Sequence, residues 1–388
     1  MLSAGEPSGD LLAAEWVEAF RSLAGPVPPV FFGVGGPRMA AAGVELTADL
    51  VRHALIGIPS VGQLRRLRRL QDDIVEEALR RQPDLFIGVD YFGFNGRLAS
   101  RIRLASARSD SPFLNWRPRI VQYVSPQVWA SRPGRVRRLA RTHDLLLSIL
   151  PFETDWYRQR VPKLNVEFVG HPLVDRHPGN TARIESTPPL VVLLPGSRRG
   201  ELMRHLPIVL EAGRLLRRSH GVELCLVLPE SVDLTPFSEW MARYPEVNVS
   251  REGVGTWLSK ATMALACTGT VTLECARFGV PTMAFYRASP ATFALGRRLV
   301  TVRYLSMPNL LACGVEDKDK PGTQPVMPEF IQDEATPEAI ARLASQWLLD
   351  RTLRDAMEVR LRAVVRQLGD PGASLRAAQA VSRLMQGN

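Results

Sequence analysis

The sequence predicts an α/β protein of two Rossmann-like domains, each an open parallel sheet flanked by helices. Three observations carry that expectation. Short continuous apolar runs, such as LFIGV at residues 85 to 89 and LVVLL at residues 190 to 194, read as strands buried on both faces. Charged stretches with helical spacing separate one run from the next, as in a β-α-β series. The series pauses once, at residues 171 to 189, where proline, glycine and charge accumulate without periodicity, and then resumes. A chain of 388 residues has the length for two such domains.

In the first half, strands are expected in VPPVFFGVGG, DLFIGVD, RIVQYVS, DLLLSIL and NVEFVGHP. Helices are expected in SGDLLAAEWVEAFRSL, GQLRRLRRLQDDIVEEALRRQP and SRPGRVRRLARTH. The pause at 171 to 189 reads as a linker. The second series of strands is LVVLLPGS, VELCLVLPE, EVNVS, ATMALACTG and VPTMAFY. Residues 313 to 329 read as a long surface loop, because charge, proline and glycine argue against a packed element. Residues 337 to 385 read as helical with a break at GDPG, residues 369 to 372. The expected domains are residues 1–175 and 188–345. Residues 346–388 form a helical segment that packs on the first domain or on a partner subunit. Two such sheets in tandem imply a cleft at their carboxyl ends, where open α/β sheets bind ligands.

The formal net charge is +10 and the composition 45% hydrophobic. A basic balance suits nucleic acid, an anionic membrane or a phosphorylated substrate; the plain alternative is a soluble protein rich in arginine. Aromatic residues are not interleaved with the arginines as on a base-stacking platform, so nucleic acid is not the expected partner. The four cysteines show no metal spacing and no CxxC pair. Cys225 and Cys267, inside apolar runs, read as buried thiols, and a reducing, cytosolic compartment is expected. No basic leader precedes an apolar block, so no signal peptide is expected. No run of eighteen apolar residues is present, so no membrane span is expected.

Several turns can carry chemistry. In SAGEPSGD, Gly5 and Gly9 let backbone approach a ligand, and Ser8 or Asp10 can cap a helix beginning near Leu11. That helix end would hold an anion or a sugar hydroxyl, or would be only a capped turn. FGVGGPRMAAAG is a second glycine-rich turn, but it lacks GxGxxG and is a weak dinucleotide fingerprint. Asp90 ends a strand, where a carboxylate serves either as a general base or as a structural acceptor. QYVSPQVWASRPGRVRRLA brings together Ser125, Gln127, Trp129, Arg132, Arg135, Arg137 and Arg138. It reads as a basic helix for phosphate or headgroups, or as a solvated face with Trp129 in the core. In LPFETDWY, Glu153 suits the first turn of a helix.

LVVLLPGSRRGE ends a strand at Pro195, turns at Gly196, and offers Ser197 as cap, with Arg198 beside the next helix's amides. Amides plus a guanidinium make a diphosphate site. GxxxxGK[ST] is absent, which argues against ATP hydrolysis of the Walker type. In ACTGTVTLECARFGVP, Thr268, Gly269 and Thr270 lie between strand and helix. Glu274 follows one turn later on the same face, able to accept both hydroxyls of a ribose. The alternative is a plain helix start with a surface glutamate.

AGEPSGD, GVGGPRM, QPDLFIGVD, YVSPQVWA, LPFE, FVGHPL, LPGSRRGE, TGTVTLE and MPNLLA stand in one order from residue 4 to about residue 312, with VMPEFIQDEATPEAI beyond. In these motifs the chain resembles the lipid-A-disaccharide synthases of Gram-negative bacteria. The resemblance implies a glycosyltransferase B fold and transfer of 2,3-diacylglucosamine from UDP to 2,3-diacylglucosamine 1-phosphate with inversion, releasing UDP. It implies no cofactor, no essential metal, and a peripheral place on the cytoplasmic face of the anionic inner membrane. It also implies a homodimer formed through the carboxyl-terminal segment.

Carried onto this sequence, Asp90 is the general base and Arg198 neutralises the departing UDP. Glu274 holds the ribose and Thr268, Gly269 and Thr270 the diphosphate, with Ser197 in the same turn. Asn309 sits at the donor site, and Ser8, Gly9 and Gln127 line the acceptor side. The membrane patch falls near residues 55 to 70, with Leu55, Ile56, Ile58 and Val61 for acyl chains and Arg65, Arg66, Arg68 and Arg69 for phosphates. Three departures stand out: Pro7 in the first motif, Gly93 where relatives commonly carry a second aspartate, and an opening strand reduced to Met1–Ala4. Two other readings follow from the same residues: a different nucleotide-sugar transferase or epimerase, and a non-enzymatic binder of anionic membranes.

Overall fold

The computed structural model describes residues 1–50, 61–108, 115–178, 183–315 and 324–387. They form two compact units. The first comprises Met1–Val128, Arg132–Asp175 and Leu368–Asn388; the second comprises Trp129–Ser131 and Arg176–Gln367.

The first unit is a seven-stranded parallel sheet: β1 (Leu2–Ala4), β2 (Phe32–Gly35), β3 (Glu45–Asp49), β4 (Leu85–Val89), β5 (Arg119–Tyr123), β6 (Leu145–Ser148) and β7 (Asn165–Phe168). Its helices are α1 (Pro7–Leu23), α2 (Pro37–Ala41), α3 (Val61–Arg81), α4 (Phe92–Arg108), α5 (Val136–Thr142), α6 (Glu153–Arg160) and α7 (Pro172–Arg176), the last ending at the unit boundary. The spatial order β3-β2-β1-β4-β5-β6-β7 reverses direction between β1 and β4. One core gathers α1 and the final helix of the chain around Trp16, Val17, Ala377 and Val381; another gathers α3 and α4 around Ile74, Ala78, Leu98 and Ile102.

The shortened opening strand is sufficient. Its three residues are fully buried and pair in parallel with both neighbours, Leu2 opposite Gly33 and Ile87. Gly33 has φ 148°, and any side chain there would overlap the Leu2 carbonyl, so glycine is required for the central pairing. The strand β3 escapes the sequence reading because it is a polar edge strand, half in solvent, which need not be apolar.

The second unit is a six-stranded parallel sheet: β8 (Leu190–Leu194), β9 (Glu223–Val227), β10 (Val247–Ser250), β11 (Met263–Cys267), β12 (Thr282–Tyr286) and β13 (Glu329–Ile331). Its helices are α8 (Arg199–His220), α9 (Ser238–Met241), α10 (Val254–Leu258), α11 (Thr270–Arg277), α12 (Pro290–Leu299), α13 (Met307–Cys313), α14 (Pro337–Leu349) and α15 (Arg351–Arg366); α16 (Ala373–Gln386) returns to the first unit. The order β10-β9-β8-β11-β12-β13 reverses between β8 and β11. Burial pushes the thiols of Cys225, Cys267 and Cys275 up to about 12, so these cysteines are inert packing groups.

Three segments differ from their sequence reading. Residues 171 to 189 are not wholly irregular: α7 forms there, and Arg183 is buried between Glu185 and Glu358 of the second unit. The stretch read as a surface loop to residue 329 ends packed, with Val326 and Met327 buried and Glu329 opening a strand. The carboxyl-terminal segment is divided, α15 going to the second unit and α16 to the first, where it packs on α1. Among the described residues, no helix is long and apolar enough to cross a membrane.

Candidate active site

In each sheet the chain order reverses once, and the turns that leave the strands at that point are where an open α/β sheet offers a crevice. The sequence candidates gather at these two places. Each is described within its own unit.

In the first unit, Asp90 follows the last residue of β4. It and Tyr91 both have left-handed backbone, with φ of 49° and 39°. Consecutive non-glycine residues in that region carry strain, which persists only where surrounding bonds over-determine it. Two buried amides do so. The Asn95 side chain donates to the carbonyls of Ser3, Val89 and Asp90 at 3.1, 3.2 and 2.9 Å, and its oxygen accepts from the Ser3 hydroxyl at 2.7 Å. The Gln122 side chain also donates to the Asp90 carbonyl, at 2.9 Å. The Asp90 N–H donates to Tyr123 at 2.8 Å. The aspartate is therefore held by its backbone from both sides.

Gly9 is buried against this corner. A Cβ added there would stand 3.3 Å from the Val89 carbonyl and 3.5 Å from the Asp90 Cβ, so glycine lets α1 approach the end of β4. Ser8 is exposed beside it. The helix starts earlier than its sequence suggests: Pro7 is its first residue and Glu6 its cap. Neither Ser8 nor Asp10 caps it. Asp10 is buried, and its carboxylate accepts from the N–H groups of Gly36, Arg38 and Met39 at 2.8, 3.0 and 3.1 Å. An internal carboxylate thus occupies the amino end of α2, which removes the second glycine-rich turn as an anion site.

Gln127 lies exposed on the loop after β5. Its neighbour Ser125 is buried and donates to Glu153, which also accepts from Ser148 at 2.6 Å. Glu153 is therefore an interior brace for that loop. Trp129 is buried, the core role among its two readings.

In the second unit, Gly196 turns the chain after β8 with φ 104°. A Cβ there would meet the Glu201 carboxylate at 2.7 Å and Cys267 Sγ at 3.2 Å, which sets this turn beside the end of β11. The cap of α8 is Arg198, not Ser197; the helix begins one residue later than that role requires. Glu201 accepts from the Arg198 backbone at 3.4 Å and from its guanidinium at 3.3 Å. The Arg198 side chain remains 62% exposed, so a phosphate can reach it. His205 is wholly buried and its Nδ1 donates to the Pro195 carbonyl at 2.8 Å, pinning the same turn. Burial lowers its pKa, against the pull of the Pro195 carbonyl and Glu201.

At the end of β11, the Thr268 N–H donates to Phe285 at 2.9 Å. Gly269 caps α11 with φ 156°, and Gly269 and Thr270 are exposed. Glu274 sits one turn on, half-buried. Burial pushes its carboxyl up to about 7, and Arg176 pulls the other way. A carboxyl poised there accepts hydroxyl hydrogens best once ionised.

Asn309 is not available to a ligand. It is completely buried, its Nδ2 donating to the Met327 carbonyl at 2.9 Å and to Glu329 at 2.8 Å. Its Oδ1 accepts from Val326 and Met327 at 2.8 and 3.0 Å. Every hydrogen-bonding capacity of the amide is used within the chain. In this structure Asn309 fastens β13's approach to α13.

Sequence reasoning missed Asn95, Gln122 and the true partner of Asp10. A signal existed for the first two: uncharged amides inside the apolar runs FGFNG and RIVQYV, where a polar side chain must find internal partners. Leu55, Ile56 and Ile58 lie outside the described residues; Arg65, Arg66, Arg68 and Arg69 are exposed on α3. Among the described residues no three His, Cys, Asp or Glu side chains form a metal-binding group.

Comparison with known proteins adds to this geometry. A family model described as lipid-A-disaccharide synthetase matches residues 1–384. The lipid-A-disaccharide synthase of Geobacter metallireducens is 35% identical, over 99% of this chain and 97% of its own length. That of Myxococcus xanthus is 34% identical, over 99% and 97%. Among solved structures, Acinetobacter baumannii MurG superposes with a TM-score of 0.55 at 15% identity, covering 100% of this chain and 99% of its own. The resemblance to such structures is one of fold, and the two sheets have the glycosyltransferase B architecture.

Proposed function

Because the chain belongs to the lipid-A-disaccharide synthase family, glycosyltransferases of lipid A biosynthesis, we propose that it transfers 2,3-diacylglucosamine from UDP to 2,3-diacylglucosamine 1-phosphate with inversion. The observation that carries this reading is the family match over residues 1–384, with its motifs falling at the chain reversals of both sheets.

The first unit activates the acceptor. Asp90 takes the proton of the acceptor's 6-hydroxyl as that oxygen attacks the anomeric carbon. The new bond forms on the face opposite the departing diphosphate, and the bond between the anomeric carbon and that diphosphate breaks, releasing UDP. The second unit holds the donor. The amides at the start of α8 and α11, with Thr268, Gly269, Thr270 and Ser197, receive the diphosphate. Glu274 accepts the ribose hydroxyls. Arg198 turns from Glu201 to the charge that grows on UDP, the largest electrostatic demand of the step. Ser8, Gly9 and Gln127 line the acceptor side. The protein acts from the cytoplasmic face of the inner membrane, held peripherally by its basic surface and the segment at residues 55 to 70, and as a homodimer.

The test is a product assay in detergent without added metal, comparing wild type with D90A. Disaccharide and UDP appearing together from wild type, and collapsing in folded D90A, is the expected outcome. Well-folded wild type that makes no disaccharide overturns the reading; turnover of UDP-N-acetylglucosamine without any lipid would assign a different nucleotide-sugar reaction.

A further inference from the structure

One surface of the first unit is left without a role. The helix α4 carries four arginines and no acid, and residues 115 to 143 carry seven arginines and no acid. Several other arginines of this unit come with carboxylates: Arg80 with Glu77, Arg81 with Glu45, Arg158 with Asp155 and Arg383 with Glu167. Two arginines of α4 follow that pattern, Arg101 on Asp72 and Arg103 on Asp144. Arg97, Arg132, Arg135 and Arg138 do not. All four are exposed, and none makes an ion pair with a carboxylate among the described residues.

These four stand on adjoining elements, α4, the turn from Arg132 to Arg135, and α5. The Arg138 guanidinium donates to the Ser100 hydroxyl at 3.2 and 3.4 Å, joining α5 to α4 one turn beyond Arg97. Arg132 and Arg135 close a single tight turn, the Arg135 N–H donating to the Arg132 carbonyl at 3.0 Å, with Arg132 in left-handed backbone at φ 60°. Their charges sense one another: desolvation, then the guanidiniums of Arg132, Arg97 and Arg138, loosen the hold of Arg135 on its proton. Like charges gathered without a counter-charge repel, and a multiply charged anion among them reverses the sign of that energy. The placement is specific as well. The helix α4 begins two residues after Asp90, and the segment from Arg132 to Arg138 follows the carboxyl end of β5, which pairs with β4.

We propose that Arg97, Arg132, Arg135 and Arg138 form a phosphomonoester site that receives the phosphate of the acceptor sugar and selects a phosphorylated acceptor over a bare one. This rests on the acceptor proposed above. A phosphomonoester brings close to two negative charges and three free oxygens, which several guanidinium forks can share. The phosphodiester of an ordinary phospholipid headgroup brings one charge and two free oxygens, and suits the cluster less.

The experiment measures binding of 2,3-diacylglucosamine 1-phosphate and of its dephosphorylated counterpart to the full-length protein in neutral detergent micelles, with no donor present. Wild type is expected to prefer the phosphorylated ligand. In R135A/R138A that preference falls by about tenfold or more, the scale of lost charge-assisted hydrogen bonds. R135K/R138K keeps most of it, and R158A, an exposed arginine outside the cluster, keeps all of it. A double alanine variant with wild-type unfolding and an unchanged preference overturns the proposal. Should that variant lose its unfolding transition, R97A and R132A, on separate elements, carry the same test. Flotation on phosphatidylglycerol vesicles is the second arm. Vesicle binding lost in R135A/R138A with the micellar preference intact would make the cluster a headgroup surface and overturn the proposal. The binding arm needs no turnover. Wild type that prefers the phosphorylated ligand but makes no disaccharide would sink the transferase reading alone; disaccharide made with an unchanged preference in the variant would sink the phosphate site alone.

Discussion

The two chain reversals are built alike and finished differently. At the first, between β1 and β4, the backbone of Asp90 is clamped by Asn95 and Gln122, and the amino end of α2 is filled by Asp10. At the second, between β8 and β11, the turns are exposed, the Arg198 guanidinium lies largely in solvent, and Gly269 and Thr270 leave the start of α11 open. The same fold element thus takes two forms, which under the proposed function would serve two purposes. At one end the backbone of Asp90 is held by buried hydrogen bonds. The other is left open, with donors facing outward for an anion. Rigidity in one place and accessibility in the other are what proton transfer and diphosphate binding respectively require.

That contrast is sharpest at Asp90. D90N is expected to lower kcat by about 10²- to 10⁴-fold, the range of a lost general base. UDP affinity, measured by calorimetry, should stay at the wild-type value; a parallel loss of UDP binding would erase the division of labour. The mirror experiment is R198A. It should lower kcat by about 10²- to 10³-fold, as for a lost oxyanion donor, and weaken UDP binding too. Unchanged UDP binding there would move the diphosphate away from the open turn.

N309A asks whether structural bracing exists in the second unit as well. Removing an amide that satisfies four partners should cost about 1–3 kcal/mol, read as a shift in the urea midpoint. A stable N309A with weakened donor binding would restore the contact role that the buried amide argues against.

Glu274 gives a pH test. Its folded-state pKa, about 7, lies above the ordinary 4.5, so the folded protein favours the protonated carboxyl. The associated cost to stability is absent below pH 4.5 and grows as pH rises towards 7. E274Q should therefore raise Tm more at pH 8 than at pH 5. Ribose binding to the carboxylate reverses the dependence for ligand: affinity for a UDP-sugar should rise about tenfold between pH 6 and pH 8 in wild type, and stay flat in E274Q. A flat wild-type profile would remove Glu274 from the ribose.

The smallest effect is expected from G93D, which supplies the second aspartate that the resemblance leads one to expect. A Cβ at position 93 meets nothing within 4 Å. Stability should change by less than about 0.5 kcal/mol. Because the clamp on Asp90 runs through Asn95 and Gln122, kcat should move far less than in D90N. A large gain would show that the backbone clamp alone does not orient the base.

Much of the fold was legible. Ten of the thirteen strands fall inside runs recognised in the sequence; the inner ones are apolar because a strand buried on both faces must be, while the edge strands β7 and β10 are partly exposed. The exceptions have physical reasons. The strand β1 is only three residues, β3 is a polar edge, and β13 emerges from a segment whose charge and proline mask it. At the site, the turns after β8 and β11 were recognisable because glycine and arginine sit at fixed offsets from a strand end. The roles of Ser197, Asp10 and Asn309 were not. Each depends on which distant backbone group a short polar side chain meets, and local spacing carries no information about that.

The sequence by itself determined the parallel sheets, the glycine turns, the acid-free arginine stretches and, through its ordered motifs, the family. These are local or cumulative properties: periodicity, composition and spacing. Only the tertiary structure decided that Asp10 closes α2 some 26 residues away, that Asn309 is consumed by residues 17 to 20 positions on, and that Arg138 of α5 reaches Ser100 of α4, one turn from Arg97. A buried polar group must be satisfied by whatever the fold brings to it, and that partner exists only once the chain has folded.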